Sequence, residues 1–320
     1  MRVAVVGAGG IGGYYGGLLQ MAGCEVTFVA RGPHLAALRE HGLRIESVIT
    51  DPVTLPVRAT QYAAEIGPVD LVLFTVKSYD SATAARALPP LLGKETAVLT
   101  LQNGVDSIDV IADVIGRDHV LGGVCYIFAA LAAPGVIRHT GGQRRIVFGE
   151  LDGRLTGRAL GILQAFRSTG VPVELSAEIL VDMWEKYLLI VAHGGMTALT
   201  RLPIGAIRET TETYEVYLAT ADEVATVGRA LGVPIPPGVR ERVRRLADSL
   251  EAGVYSSLHA DLIAGRRMEL EALLGNVVRL GERLTVPTPI CQVVYAALRP
   301  HAVAAERASI PPEVARPTSA

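Results

Sequence analysis

Cysteine is scarce in this sequence. Cys24, Cys125 and Cys291 are the only cysteines in 320 residues, and they lie far apart. An odd number of cysteines at wide spacing indicates reduced, mostly buried thiols rather than a disulfide framework, and it favours a cytoplasmic protein. We assign no metal ligand in the sequence.

Neither sign of charge dominates, and no apolar run is long enough to cross a bilayer. The formal net charge of −2 leaves no electrostatic footprint for nucleic acid or an anionic membrane, so we expect neither as a partner. The most hydrophobic stretch, residues 187–200, has no Asp, Glu, Lys or Arg, but it is too short to span and predicts a buried helix. We expect no signal peptide, because the first predicted strand starts at Arg2.

The sequence does contain a glycine-rich segment directly after a short apolar strand, residues 2–6. Gly7, Gly9 and Gly12 have the G-x-G-x-x-G spacing, and a helical stretch follows from Tyr14. The first glycine permits a tight turn, the second leaves the backbone open to a pyrophosphate, and the third lets the helix pack closely on the sheet. The helix N-terminus adds free N–H groups and a partial positive charge. We predict dinucleotide binding; the alternative is a glycine-rich turn in another α/β domain.

Arg31 follows the second predicted strand, at the position that selects between the two nicotinamide dinucleotides. NAD enzymes usually place an acidic residue there to bond the ribose 2′-hydroxyl. An arginine instead pairs with a 2′-phosphate through charge-assisted hydrogen bonds. The sequence therefore predicts NADP(H), unless Arg31 is an ordinary solvated surface residue.

The first half of the chain alternates strands and helices, and the second half is helical. This order predicts an α/β Rossmann-type doubly wound parallel sheet followed by an all-helical C-terminal domain. We place an NADP-binding domain at 1–176, a helical substrate and dimerisation domain at 177–301, and a flexible Ala- and Pro-rich tail at 302–320. The predicted strands are 2–6, 25–30, 43–49, 71–76, 97–101, 120–128, 136–139, 145–148 and 171–175. The predicted helices after the sheet are 178–199, 211–231, 237–251, 258–264, 267–284 and 289–300.

Two polar segments follow predicted strands, where open α/β sheets bind their ligands. Lys77 ends an apolar strand abruptly, which suggests a charge facing a bound anion or a lysine that merely reaches solvent. Asn103, in Gln102-Asn103-Gly104, also follows a strand, although Asn-Gly is a common turn signal as well.

Lys186 stands just before the stretch that lacks charged residues. A lysine entering a buried helix needs a partner or a role, and its amine is a good proton donor once burial and nearby cations lower its pKa. Helical spacing places Ile190, His193, Gly194 and Thr197 on its face, whereas Glu185 points elsewhere. The alternative for Lys186 is an amphipathic lysine at a helix end, and His193 is equally consistent with a hydrogen-bonded core histidine.

These marks together resemble the ketopantoate reductase (2-dehydropantoate 2-reductase) family over about residues 1–300. The matching segments are Gly7-Ala8-Gly9-Gly10-Ile11-Gly12 with Arg31, Val76-Lys77, Gln102-Asn103-Gly104, Trp184-Glu185-Lys186, Ser256-Ser257 with Asp261, Gly265-Arg266 and Glu269, and Pro287-Thr288-Pro289. The family reduces a 2-oxo acid with NADPH.

The resemblance implies a role for each matched residue. The cofactor contacts would be Gly7, Ala8, Gly9, Gly10, Ile11, Gly12, Arg31, Lys77 and Asn103. Lys186 would protonate the carbonyl oxygen as hydride arrives, and Glu269 would order Lys186 or the nicotinamide ribose. Asn103 and Ser257 would contact substrate, with His193 as a further candidate. By themselves, Ser257 and Glu269 are only capping residues near helix starts.

The sequence departs from the family at three positions. The family usually has asparagines four and eight residues after the catalytic lysine, where they hold the substrate hydroxyl and carboxylate; here those places are Ile190 and Gly194. A further family asparagine falls at Ile204. Because a site that bonds a hydroxyl discriminates strongly, these changes predict an altered, more apolar substrate pocket.

Three interpretations of function remain open. The first is NADPH-dependent reduction of a 2-oxo acid, and the second is reduction of a different ketone or imine. The third is a non-catalytic NADP(H)-binding sensor, which the absent asparagines favour and which Lys186, Ser257 and Glu269 oppose. Exposed helical faces often dimerise in this superfamily, so a homodimer is among the expected partners.

Overall fold

A computed structural model of the protein describes residues 1–309, and these form two compact units. The first unit comprises Met1–Gln102 and Asp106–Met183, and the second comprises Asn103–Val105 and the chain from Trp184 onward. None of the helices in residues 1–309 is long and apolar enough to cross a membrane.

The first unit is built on one sheet. Its strands are β1 (Arg2–Val6), β2 (Glu25–Val29), β3 (Leu43–Ser47), β4 (Val53–Leu55), β5 (Arg58–Thr60), β6 (Leu71–Phe74), β7 (Ala97–Thr100), β8 (Val120–Ala133), β9 (Val136–Glu150) and β10 (Val173–Leu175). The order across the sheet is β4-β3-β9-β8-β7-β6-β1-β2-β5, and β10 pairs with β9 beyond the segment that pairs with β3. Its helices are α1 (Gly10–Met21), α2 (Gly32–His41), α3 (Ser81–Ala85), α4 (Ser107–Ile115) and α5 (Gly157–Arg167).

The predicted Rossmann-type core is confirmed, but the sheet is not wholly parallel. From β5 through β8 every neighbouring pair is parallel, and Val3–Val6 and all of β6 and β7 are buried, as expected for strands covered on both faces. The pairs β8–β9 and β3–β4 are antiparallel.

The long β8–β9 hairpin corrects a prediction. Residues 136–139 and 145–148 were expected as separate strands around a Gly141-Gly142 turn, yet β9 runs through both. Both glycines have positive φ, at 154° and 86°, and the register with β8 shifts between Tyr126 and Ala129. The glycine pair therefore forms an irregularity within one strand, and the turn lies at Pro134-Gly135 instead.

The second unit is helical, as predicted. Its helices are α6 (Ile179–Thr200), which enters it from the first unit, α7 (Ile204–Glu209), α8 (Thr211–Ala230), α9 (Val239–Ser249), α10 (Ser257–Ile263), α11 (Asn276–Leu284), which follows a π-helical turn at Glu271–Gly275, and α12 (Pro289–Ala308). Tyr187, Leu188 and Tyr217 are fully buried in its core.

Three features of the second unit differ from the predictions. The helix expected at 267–284 instead begins with an irregular segment and the π-helical turn at Glu271–Gly275, and α11 starts only at Asn276. Helix α7 was not expected, because its six residues are too few to show a period. Helix α12 continues through Pro300 to Ala308, so residues 302–308 are helical rather than frayed. Ala302 and Ala305 on this extension are buried, which explains why it is held. Residues 310–320 of the expected tail lie outside the described residues.

Candidate active site

The glycine-rich loop joins β1 to α1, and its glycines have different surroundings. Gly7 has φ 103°, and a Cβ there would collide with the backbone of Thr75 and Val76. A Cβ on Gly12 would collide with the carbonyl of Gly7 and the hydroxyl of Thr75. A Cβ on Gly9 would meet no atom within 4 Å. The loop is therefore closed against the protein at Gly7 and Gly12 and open at Gly9.

The start of α1 is suited to an anion. Gly9 precedes the helix without a side-chain cap, and the first turn carries no acidic residue. The N–H groups of a first helical turn have no partner within the helix, and the helix dipole adds positive potential. The six consecutive residues that the family resemblance implies as cofactor contacts, Gly7 to Gly12, form this loop and the first turn of α1.

Arg31 lies between β2 and α2, and its side chain is 82% exposed. Its Nη2 is 2.7 Å from the Asp80 Oδ2 atom, in the turn that follows β6. The sequence analysis did not identify this acidic partner, because the two residues are 49 positions apart. An exposed pair of this kind contributes little to stability, so Arg31 remains available to a stronger anion.

Lys77 and Gln102 follow β6 and β7, but only Lys77 is exposed. The Gln102 amide is buried, and its Nε2 donates to the Val76 carbonyl and to the Ser81 hydroxyl, each at 2.7 Å. Gln102 thus joins the ends of the two strands and fixes the segment on which Lys77 lies.

Lys186 and Asn103 meet in the second unit. The Lys186 Nζ atom donates to the Asn103 Oδ1 atom at 2.9 Å. The neighbouring Glu185 is turned away, as its position on the helix predicts, and forms a two-point ion pair with Arg242 at 2.7 and 3.1 Å. The Asn103 amide is therefore one of the groups that position the Lys186 side chain.

His193 lies two turns after Lys186 and is buried, with 9% of its surface exposed. Neither ring nitrogen has a hydrogen-bond partner in the described residues, and the Tyr217 ring packs edge-on at 6.4 Å. Burial lowers the pKa of His193 to about 4, against a smaller opposite effect of the Tyr255 backbone. The imidazole is therefore neutral at pH 7 and is not a proton donor of the ammonium type.

This pKa predicts that His193 makes the fold sensitive to acid. The pKa is 6.5 when unfolded and about 4 when folded, so stability is fully present above pH 6.5 and is lost as pH falls toward 4. The loss amounts to roughly 3 kcal/mol, at about 1.4 kcal/mol per pKa unit. Urea unfolding at pH 7 and pH 4.5 should show a smaller difference in His193→Gln than in the unmodified chain. Equal differences would contradict this expectation.

Ser256, rather than Ser257, is the serine that the structure connects to α6. The Ser256 hydroxyl accepts from the His259 N–H at 3.0 Å, which caps α10, and from the Thr197 hydroxyl at 2.7 Å. Ser257 is the first residue of α10 and is exposed. Ser256, and not Ser257, is therefore the residue that caps α10, and the exposed Ser257 side chain is accessible to another contact.

The positions that lack the family asparagines have apolar surroundings. A Cβ on Gly194 would lie at ordinary contact distances of 3.6 to 3.8 Å from Leu273 and Leu258. Ile190 is half-buried against the core of this unit, and Ile204, at the start of α7, is fully buried. The face of α6 that follows Lys186 is therefore apolar at Ile190 and bordered by leucines at Gly194.

Glu269 is buried, with 8% of its surface exposed, in an irregular segment before the π-helical turn. Its carbonyl accepts from the Leu273 N–H. The Tyr187 hydroxyl donates to the carbonyls of Ala272 and Leu273, at 2.9 and 2.5 Å. Tyr187, the residue after Lys186, thus fixes the π-helical turn that follows Glu269. Such π-helical turns are frequent at functional sites, although sequence periodicity does not reveal them.

Comparisons with known proteins identify the family of the chain. Residues 3–153 match the family described as ketopantoate reductase PanE/ApbA, and residues 178–302 match its C-terminal region. The chain is 33% identical to the uncharacterized oxidoreductase YkpB of Bacillus subtilis, over 93% of this chain and 98% of that protein. It is 35% identical to a 2-dehydropantoate 2-reductase of Halobacterium salinarum, over 92% and 96%.

A solved structure shows the same fold. The crystal structure of a PanE/ApbA family ketopantoate reductase from Ralstonia eutropha JMP134 matches with a TM-score of 0.87 at 35% identity, covering 96% of this chain and all of that one. The family match, the relatives that are covered over nearly their whole length and the fold all indicate the same family. The chain therefore belongs to the ketopantoate reductase PanE/ApbA family of oxidoreductases and uses a nicotinamide dinucleotide.

Proposed function

We propose that this protein reduces a 2-oxo acid with NADPH, and that Lys186 donates the proton to the carbonyl oxygen. The observation that carries the proposal is the 2.9 Å hydrogen bond from the Lys186 ammonium to Asn103, the residue that follows the carboxyl end of β7. A positioned ammonium both stabilises negative charge on oxygen and supplies a proton.

The described residues fit the cofactor. The open space at Gly9 leaves room for a pyrophosphate beside the backbone, and the acid-free first turn of α1 supplies N–H donors. The exposed guanidinium of Arg31 suits a 2′-phosphate. Lys77 follows β6, which pairs in parallel with β1 on the side opposite β2. Bound there, the cofactor supplies a hydride to the substrate carbonyl carbon.

The remaining residues complete the proton transfer. As the carbonyl carbon accepts hydride, electrons move to the carbonyl oxygen, and the Lys186 ammonium gives that oxygen its proton. Asn103 orients the ammonium and contacts cofactor or substrate. Glu269 orders Lys186 or the nicotinamide ribose. Ser257 and neutral His193 contact the substrate as hydrogen-bond partners.

Turnover measurements test the proposal directly. NADPH oxidation should be observed with at least one small 2-oxo acid and should be slower with NADH. If NADPH binds but no 2-oxo acid, ketone or imine is reduced, the alternative of a non-catalytic NADP(H)-binding sensor replaces this function.

Arg31→Ala should weaken NADPH binding by the equivalent of about 1.5–3 kcal/mol, as for hydrogen bonds to a charged group. NADH binding should change little, because NADH has no 2′-phosphate. Titration calorimetry with both cofactors measures the two effects. Equal dissociation constants for NADPH and NADH in the unmodified protein would contradict the assignment to NADP(H).

Two further variants sharpen this test. Arg58 is also an exposed arginine paired with a carboxylate, Glu25, at 2.6 Å, so Arg58→Ala is a matched control and should leave both affinities unchanged. Asp80→Asn should tighten NADPH binding several-fold, because it removes a negative charge that competes with the 2′-phosphate for Arg31.

A further inference from the structure

His34 connects the glycine-rich loop to the tip of the β8–β9 hairpin. It lies on α2, and its Nε2 is 2.7 Å from the Ala8 carbonyl oxygen, while its Nδ1 accepts from the Gly135 N–H at 2.9 Å. An amide N–H only donates, so Nδ1 must be the unprotonated nitrogen. The proton is therefore on Nε2 and is donated to Ala8. Burial lowers the pKa of His34 below its ordinary value, which favours this neutral form.

The hairpin tip is itself fixed. Gly135 has φ 77°, as the third residue of a tight turn after Pro134 requires. Its carbonyl accepts from the Arg44 N–H, at the start of β3, at 2.8 Å. His34 is thus bonded to a turn in which both the N–H and the carbonyl of Gly135 form hydrogen bonds.

The start of α1, directly after the glycine-rich loop, also packs on this hairpin. A Cβ on Gly10 would collide with the backbone of Ala129 and Ala130 in β8, and a Cβ on Gly13 would collide with the Ile137 side chain in β9. Neither glycine belongs to the G-x-G-x-x-G spacing. Because they lack side chains, the first turn of α1 can lie close to the hairpin. The hairpin therefore supports α1 at Gly10 and Gly13, and it supports Ala8 through His34.

We propose that His34 is a positioning residue for the cofactor, which orients the Ala8–Gly9 peptide against the β8–β9 hairpin. The Ala8 carbonyl and the Gly9 N–H belong to one planar trans peptide, so a hydrogen bond that fixes the carbonyl also fixes the opposite direction of the N–H. Without that hydrogen bond the peptide plane can rotate, and the direction of the Gly9 N–H changes with it. The inference rests on the proposed binding of the pyrophosphate at this loop.

Two substitutions separate the hydrogen bonds from the shape of the ring. His34→Phe keeps a flat ring and removes both hydrogen bonds, whereas His34→Gln offers an amide N–H and an oxygen in their place. We expect the NADPH dissociation constant, followed by cofactor fluorescence, to rise about tenfold in His34→Phe, since one or two hydrogen bonds are lost. It should stay within about threefold in His34→Gln. His41→Phe, at the exposed end of the same helix, is the matched control and should bind normally.

Kinetics and spectroscopy give independent readouts. In His34→Phe the KM for NADPH should rise while kcat at saturating cofactor is unchanged. Nitrogen-15 spectra of the unmodified protein should show His34 protonated at Nε2 alone, which needs no variant to fold. Protonation at Nδ1, normal NADPH binding in His34→Phe, or equal loss in His34→Gln would overturn the inference. If Arg31→Ala weakens binding and His34→Phe does not, only this inference fails; if the unmodified protein binds no NADPH, the proposed function fails.

Discussion

Replacing Lys186 by alanine is expected to lower kcat by about 10²–10⁴-fold, the usual contribution of a positioned general acid. The NADPH dissociation constant should stay unchanged, because the amine acts on the substrate oxygen. Hydride arrival places negative charge on that oxygen, and the Lys186 ammonium, bonded to Asn103 at 2.9 Å, is the described group best suited to neutralise it. Single-turnover NADPH oxidation measures the chemical step directly.

Lys94→Ala is the matched control, since Lys94 is an exposed lysine before β7, and its kcat should equal that of the unmodified protein. A Lys186→Ala variant that turns over at a near-normal rate would assign the proton donor elsewhere. His193 would be the next residue to test, although its pKa of about 4 leaves it neutral at pH 7.

Ketopantoate should be a poor substrate, by about 10²-fold or more relative to an apolar 2-oxo acid. The positions at which the family resemblance implies asparagines are Ile190, Gly194 and Ile204, and their side chains donate no hydrogen bond. Each lost hydrogen bond is worth about 0.5–1.5 kcal/mol, and about 1.4 kcal/mol is a factor of ten. The leucines beside Gly194 and the half-buried Ile190 favour an apolar group there instead.

A matched pair of substrates isolates this effect. The 2-oxo acid 3,3-dimethyl-2-oxobutanoate differs from ketopantoate only by lacking the hydroxyl, so the ratio of their kcat/KM values reports how the site treats that group. We expect the ratio to favour the compound without the hydroxyl. A ketopantoate kcat/KM near about 10⁵ M⁻¹s⁻¹, within the usual range for natural substrates, would show the asparagines to be dispensable.

Restoring the asparagines provides the reverse test. The double variant Ile190→Asn with Gly194→Asn should raise kcat/KM for ketopantoate and lower it for the compound without the hydroxyl. A Cβ on Gly194 would lie at ordinary contact distances, and Ile190 is only half-buried; the midpoint of thermal unfolding checks that the double variant remains folded. If kcat/KM changes equally for both substrates, the side chains at these two positions do not contact the substrate hydroxyl.

The sequence by itself determined the parts of this protein that depend on local spacing. The strand before Gly7 and a helix after the glycines follow from an apolar run and a short motif. The structure has β1 at the predicted place, and α1 begins at Gly10, four residues before the predicted Tyr14. The helical second half follows from periodicity, and Glu185 points away from Lys186 because adjacent helical residues do not share a face. The family also followed from short motifs in order, and the comparisons confirm it.

Only the tertiary structure decided which distant residues meet. Asn103 and Lys186 are 83 positions apart, Arg31 and Asp80 are 49 apart, and no local pattern links either pair. The Gly141-Gly142 pair was predicted as a turn because its conformational freedom suits one, yet cross-strand pairing with β8 made it an irregularity in β9. The close approach of the hairpin to Gly10 and Gly13 likewise follows from the tertiary structure alone. Local sequence sets conformational preference. These contacts depend instead on which elements become neighbours when the whole chain buries its apolar side chains.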